Sequence, residues 1–318
     1  MSGKHILALS GGVGGAKMAA GLAAVMAPDD LTLVVNTGDD FEHLGLTICP
    51  DVDSVTYALA GFNDTVRGWG VKDETWQTMA MLRALGEEGW FNLGDRDMGM
   101  HIARSWRLRA GETLSEVTAR LTRELGIGHA VVPMSDDPVR TQVLTDAGWT
   151  DFQRWFVGNQ CVDAVLDVRF EGVPGARPSP CLAKTLARDD LAAVVICPSN
   201  PFLSVDPILA LDGVRDALAA LRVPVIAVSP LVGGAAIKGP LAKMLAERGH
   251  GVSNEAIACH YQDHWGDLLD HLLIDEADEA DVSCLQARGL RVTVTKTMMR
   301  EAADRERLAK EVLAIAGI

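Results

Sequence analysis

The sequence predicts an α/β protein: a Rossmann-like, doubly wound, mostly parallel sheet with an inserted α+β subdomain. Three observations carry this. Short apolar runs rich in Val, Ile and Leu recur toward both ends of the chain, segments of helical spacing separate them, and nearly every unusual motif directly follows one of the runs.

The runs are Ile6–Leu9, Leu31–Val35, Ala193–Cys197, Val223–Val228, Leu272–Ile274 and Val292–Val294. Each is three to six residues long and mostly apolar, as expected of strands buried on both faces. Helical spacing runs through Ala16–Met26, Pro207–Leu221, Gly239–Glu247 and Met299–Ile315. Such alternation builds right-handed β-α units with helices on both faces of one sheet. The middle reads differently: 64–124 is helical and Trp-containing, and Thr141–Leu144, Phe152–Val157 and Val165–Phe170 read as short strands. The expected division is a nucleotide-binding core, residues 1–63 and 171–318, with an inserted subdomain at 64–170.

Composition narrows the function classes. The 318 residues are 48% hydrophobic and 23% charged, which excludes a disordered chain. A net charge of −14 argues against non-specific binding to nucleic acid or to an anionic membrane. An anionic ligand would therefore need local devices such as backbone N–H groups, a few placed cations or a bound divalent metal. No signal-peptide core and no transmembrane run is visible, and six cysteines stand without a C-x-x-C pair, so a reduced, cytoplasmic protein is expected.

In open α/β sheets the ligand crevice lies beyond the carboxyl ends of the strands. There the sequence places Ser10-Gly11-Gly12-Val13-Gly14-Gly15-Ala16-Lys17, then Asn36-Thr37-Gly38-Asp39-Asp40, Pro198-Ser199-Asn200-Pro201, Ser229-Pro230 with Gly233-Gly234 and Lys238-Gly239-Pro240, and Asp275-Glu276-Ala277-Asp278. The first loop has Lys17 where a dinucleotide fingerprint needs its third glycine, and Ala16-Lys17-Met18 does not fit a Walker A loop. Its glycines Gly11, Gly12, Gly14 and Gly15 would let backbone approach a phosphate, with Lys17 adding charge; the bland reading is a tight turn that binds nothing. Asp39 and Asp40, followed by Asp51 and Asp53, suggest carboxylates serving phosphate through Mg²⁺, with helix capping as the alternative for Asp53. Asp95, Arg96 and Asp97 pose the same choice between site and surface ion pair. Ser199, Asn200, Ser229 and Gly234 offer donors and acceptors for ribose, guanine or phosphate, and Lys238 repeats the logic of Lys17. Trp69, Trp76 and Trp90 could line a flat-ring pocket or pack a core. His260, His264 and His271 share a helical spacing that could ligate a metal, although Gly266 and an apparent strand at Leu272 interrupt it.

In order and combination these motifs resemble the 2-phospho-L-lactate transferases of coenzyme F(420) biosynthesis, including their phosphoenolpyruvate-type members. The resemblance rests on GGVGGAK at Gly11–Lys17, NTGDD at Asn36–Asp40, ICPDVDS at Ile48–Ser54, LGDRD at Leu93–Asp97, PMSDDPVRT at Pro133–Thr141, PSNP at Pro198–Pro201 and the SPLVGG and KGP segments. It implies transfer of a phospho-acid from its guanosine-5′-diphospho derivative to 7,8-didemethyl-8-hydroxy-5-deazariboflavin, with release of GMP and use of Mg²⁺. It also implies roles: Asp39 and Asp40 for the metal, Lys17 and Lys238 for the diphosphate, Asp53, Asn92 and Arg96 for the deazaflavin, Ser199 and Asn200 for the guanosine. A homodimer is the default for such an enzyme. Related nucleotide-sugar-binding regulators share the glycine loop but would carry D-D-G-G-S where this chain has Asp39-Asp40-Phe41-Glu42-His43. An NAD-dependent oxidoreductase is disfavoured by Lys17.

Overall fold

The computed structural model describes residues 4–249 and 251–318. Its centre is a seven-stranded sheet of β1 (His5–Ser10), β2 (Leu31–Val35), β3 (Ala130–Pro133), β4 (Leu191–Ile196), β5 (Val225–Val228), β6 (His271–Asp275) and β7 (Arg291–Thr295). The spatial order is β3-β2-β1-β4-β5-β6-β7, and every pairing is parallel. The chain winds outward from β1 to β3, returns to the other side of β1, and winds outward again to β7. The reversal between β1 and β4 is a topological switch point, where splayed crossovers leave a crevice at the strands' carboxyl ends.

Strand periodicity divides the core. Leu7 and Leu9 of β1 enter one cluster with Val34, Val132, Val194 and Ile196, while Ile6 and Ala8 enter another with Leu31, Leu33 and Val195. The second layer is covered by α1 (Gly12–Val25), α2 (Pro50–Ala60) and, near the C-terminus, α7 (Ala302–Ala316). Between α2 and β3 lie α3 (Gln77–Ala84), α4 (Asp95–Arg109) and α5 (Leu114–Glu124), and α6 (Asn254–Trp265) precedes β6.

The structure corrects the expected layout in three places. Ala130–Pro133, inside the stretch read as an insertion, is the sheet's edge strand, with α5 before it; the 64–170 segment is thus partly the β2-to-β3 crossover. Its small antiparallel sheet, Arg140–Thr145 with Gly148–Asp151 and Asp167–Glu171, shares the main core through Val143 and Val165. The expected strand Phe152–Val157 is instead helical, with a π turn at Arg154–Gly158; Phe152 and Phe156, one turn apart, stack at 5.3 Å. The expected helix Pro207–Leu221 is broken at Gly213, whose φ is +73°. His271 lies on β6, bonded to Thr293, apart from the helix that carries His260 and His264, as the apparent strand at Leu272 implies. Among the described residues no helix is long and apolar enough to cross a membrane.

Candidate active site at the switch point

The glycine-rich segment is the first turn of α1, which begins at Gly12. Its glycines are steric necessities. A side chain on Gly14 would collide with the Pro198 carbonyl oxygen, one on Gly15 with the Ser10 and Ser199 hydroxyls, and one on Gly11 with Ser204 and Asp51. The two loops at the switch point are also tied by hydrogen bonds: the Gly11 amide donates to Ser199 Oγ at 3.1 Å, and that hydroxyl donates to the Gly11 carbonyl at 2.9 Å. Close backbone approach fixes the β1 and β4 loops against each other, at a cost in helix propensity that only packing offsets.

Asn36, at the end of β2, organises the acids. Its amide nitrogen donates to Asp51 Oδ2 at 2.9 Å and to the Leu203 carbonyl at 3.2 Å, and its oxygen accepts from the Gly38 amide at 2.8 Å. Asp51, from the first turn of α2, also accepts the Gly12 amide at 2.7 Å. The carboxyls of Asp39 and Asp40 are buried, and Oδ1 of each has no hydrogen-bond partner among the described residues. Burial, then the Asp51 charge, pushes the Asp39 carboxyl well above the ordinary range, against a hydrogen bond from Asn36. Burial pushes Asp40 up to about 7, although the Cys49 thiol, Arg140 and Arg104 pull it down. Asp51 is raised for the same first reason. Buried carboxyls this close resist ionisation unless a cation joins them. Hard oxygen ligands with unused lone pairs fit Mg²⁺, which needs only one or two protein carboxylates.

A second acidic group lies beside the first. Arg104 of α4 is fully buried and forms an ion pair with Asp53 of α2, its Nη1 3.1 Å from Asp53 Oδ2. His101 lies 3.6 Å from Asp53 and 3.2 Å from Asp97, and the Tyr57 hydroxyl donates to Asp97 Oδ1 at 2.5 Å. Asp53, Asp97 and His101 are close enough to hold an ion. The Arg104 guanidinium already supplies countercharge there, and it acts on Asp40 as well. Asp53, expected against the acceptor, is thus committed to Arg104 and only 5% exposed. The sequence reading missed Tyr57, His101 and Arg104. Their signal was present: Asp97, His101 and Arg104 fall at i, i+4 and i+7 on one helix face, and Asp53 and Tyr57 at i and i+4 on another.

The remaining expected residues divide. Lys17 is pushed below the ordinary lysine range by burial, then by the Arg305 and Lys238 charges, with the Asp304 charge opposing them, and its ammonium donates to the Met299 carbonyl at 2.8 Å. Several side chains expected to meet ligand are instead engaged within the fold. Asn200 caps the turn after it by accepting from the Phe202 amide at 3.0 Å, and Ser229 donates to Asn254 at 2.5 Å. The Gly233 and Gly234 amides donate to Asp278 at 2.9 and 2.7 Å, so the backbone nest expected to receive phosphate holds a carboxylate. Asn92 accepts from Arg83 at 2.6 Å. Arg96 is exposed at the start of α4, donating to the Lys72 carbonyl at 2.7 Å, with its guanidinium 5.9 Å from the Phe62 ring.

A protein-family model described as 2-phospho-L-lactate transferase CofD matches residues 6–314. A phosphoenolpyruvate transferase of Kitasatospora aureofaciens is 39% identical over 319 residues, covering 98% of each chain. A 2-phospho-L-lactate transferase of Methanococcoides burtonii is 38% identical over 310 residues, covering 98% of this chain and 99% of its own. A crystal structure of a UPF0052 family protein from Bacillus halodurans has the same fold, with a TM-score of 0.66 at 15% identity over 98% of this chain and 99% of its own. Nearly full-length matches at this identity fix the assignment: the chain is a transferase and belongs to the 2-phospho-L-lactate transferase CofD family.

Proposed function

We propose that this phospho-acid transferase of coenzyme F(420) biosynthesis takes 2-phospholactate or enolpyruvyl phosphate from its guanosine-5′-diphospho derivative and passes it to 7,8-didemethyl-8-hydroxy-5-deazariboflavin. The terminal ribityl hydroxyl oxygen attacks the phosphorus that carries the acid. A new P–O bond forms, the bond to the bridging oxygen breaks, the hydroxyl proton is released and GMP leaves with the bond pair. Such chemistry needs positioning and charge stabilisation more than a protein nucleophile.

The observation that carries this reading, beyond the family, is the pair of buried carboxyls of Asp39 and Asp40 at the switch point, each with its Oδ1 lacking a hydrogen-bond partner among the described residues. These two residues would hold Mg²⁺, which when bound neutralises phosphate charge. Asn36 and Asp51 orient the loop that presents them. Lys17 and Lys238 would hold the diphosphate, the 198–200 loop would border the guanosine, and Arg96 with the α3–α4 segment would border the deazaflavin. The interlocked glycine turn and 198–200 loop keep this floor rigid. Support for a homodimer comes from the apolar surface of α3 and α4, where Met81, Leu85, Ile102 and Trp106 are exposed. Six free cysteines support a reducing, cytoplasmic setting.

The test is mass spectrometry of the product formed with each guanosine-diphospho acid in turn. A deazaflavin phosphodiester with stoichiometric GMP is expected with a lactate-type or enolpyruvate-type donor. Tight donor binding without GMP release would instead identify a nucleotide-sugar sensor.

A further inference from the structure

The histidine-bearing helix α6 holds a cluster that the proposed reaction does not use. Asp206, beyond the loop that follows β4, is only 6% exposed, and both of its carboxylate oxygens are engaged. His260 Nε2 lies 2.8 Å from Oδ2, and Trp265 Nε1 donates to Oδ1 at 2.7 Å. A carboxylate only accepts, so His260 Nε2 carries the shared hydrogen. The buried His260 ring also packs on Phe202, with centroids 4.2 Å apart. At its other end α6 is fixed as well: Asn254 donates from its side-chain nitrogen to Asp281 at 3.0 Å and accepts from the Ser229 hydroxyl at 2.5 Å.

What this clamp holds is the segment that backs the acidic loop. A π turn at Pro201–Val205 leads directly into a short helix that begins with Asp206 and Pro207. The Leu203 carbonyl of the turn accepts from Asn36 Nδ2 at 3.2 Å. Ser204 packs on Gly11 closely enough to exclude a side chain there, and Pro207 Cβ lies 3.1 Å from where a Cβ on Gly38 would stand. The Gly38 amide in turn donates to the Asn36 side chain at 2.8 Å, and Asp39 follows directly. A continuous series of contacts thus runs from His260 and Trp265, through Asp206 and its neighbours, to the Asn36–Asp40 loop. A buried polar network with every member satisfied specifies a single arrangement, and one that loses a member does not.

We propose that His260 and Trp265 are positioning residues: through Asp206 they fix the 201–207 segment, and with it the Asn36–Asp40 loop, in the arrangement that takes up a divalent cation. The positioning of the loop needs only these contacts; the cation rests on the reading of Asp39 and Asp40 as metal ligands. A loop that is competent for a metal only part of the time binds it more weakly by that fraction. The two histidines of α6 accordingly form a brace: His260 faces Asp206, and His264 Nδ1 donates to the His260 carbonyl at 3.0 Å.

The experiment compares the wild type with His260→Phe, His260→Gln and Trp265→Phe, reading Mn²⁺ affinity by electron paramagnetic resonance and deuterium exchange of the 36–40 amides against those of α5. His260→Phe keeps a ring against Phe202 but leaves Asp206 Oδ2 without its donor. Exchange at 36–40 should then quicken with α5 unchanged, and Mn²⁺ affinity should fall by about tenfold, the scale of one charged hydrogen bond. His260→Gln, whose amide can donate to Asp206, should recover much of both losses. Wild-type exchange at 36–40, equal quickening in α5, or an undiminished Mn²⁺ affinity that still depends on Asp39 would each overturn the proposal. Should His260→Phe not fold, Trp265→Phe is read by the same criteria. A loosened loop in a protein whose Mn²⁺ affinity ignores Asp39→Asn would uphold the brace and reject the metal reading of Asp39.

Discussion

The Asp51 carboxylate accepts the Gly12 amide hydrogen at 2.7 Å, so an acid of the protein itself occupies the N-terminus of α1. Helix N-termini attract anions, and here the anion is built in. The glycine turn therefore serves first as a packing device. Gly14→Ala, which would drive a methyl group into the Pro198 carbonyl, should be markedly destabilising and should abolish donor binding. Gly12→Ala meets open space but must hold a φ of +65°, so it should cost only about 1–2 kcal/mol. Chemical denaturation of both variants checks the order; equal losses would refute the packing role.

The buried acids predict an unusual pH dependence for the metal-free protein. A carboxyl whose folded pKa is raised binds more protons folded than unfolded, so stability falls as pH rises from about 4, the unfolded value, to the folded value, about 7 for Asp40. Each such group contributes at most about 1.4 kcal/mol per pH unit. His5, His43 and His271, all lowered first by burial, act in the opposite sense, so the informative quantity is the difference between wild type and Asp40→Asn. Melting temperatures across this range should diverge with pH, Asp40→Asn falling less, and Mg²⁺ should restore wild-type stability at the alkaline end.

Arg104 and Asp53 form a buried ion pair that joins α4 to α2. Arg104→Met leaves an unpaired charge and should destabilise by about 3–5 kcal/mol. The double variant Asp53→Asn/Arg104→Met should recover much of that loss. Urea denaturation of the set provides the check, and additive losses would refute the coupling. Asp53→Ala should likewise lower stability more than it alters acceptor KM.

How much of this was readable beforehand depends on how local the cause is. Five of the seven central strands are legible because strands buried on both faces are largely apolar, and the partly buried Arg291–Thr295 is legible through its alternating Val and Thr. Ala130–Pro133 is not: four residues at the edge of the sheet, ending in Pro, carry little pattern. Phe152–Val157 misleads because aromatic residues favour strands on average, whereas here Phe152 and Phe156 stack one helical turn apart. Asp39 and Asp40 stand out because carboxylates at a strand end need a reason. The partnership of Arg104 with Asp53, 51 positions apart, is set by tertiary packing and escapes any local reading. The same holds for Asp278 in the Gly233–Gly234 nest, since a sequence shows which donors exist and not which are already satisfied.

On the proposed function, Asp39, with Asp40, brings Mg²⁺ to the switch point to support phospho-acid transfer. The most direct measurement is the initial rate of GMP release from the guanosine-diphospho donor, with deazaflavin present, as Mg²⁺ is titrated into wild type and Asp39→Asn. Turnover should fall by about a hundredfold or more in Asp39→Asn while the fold and deazaflavin binding persist. Wild-type turnover with an unchanged Mg²⁺ dependence would contradict it.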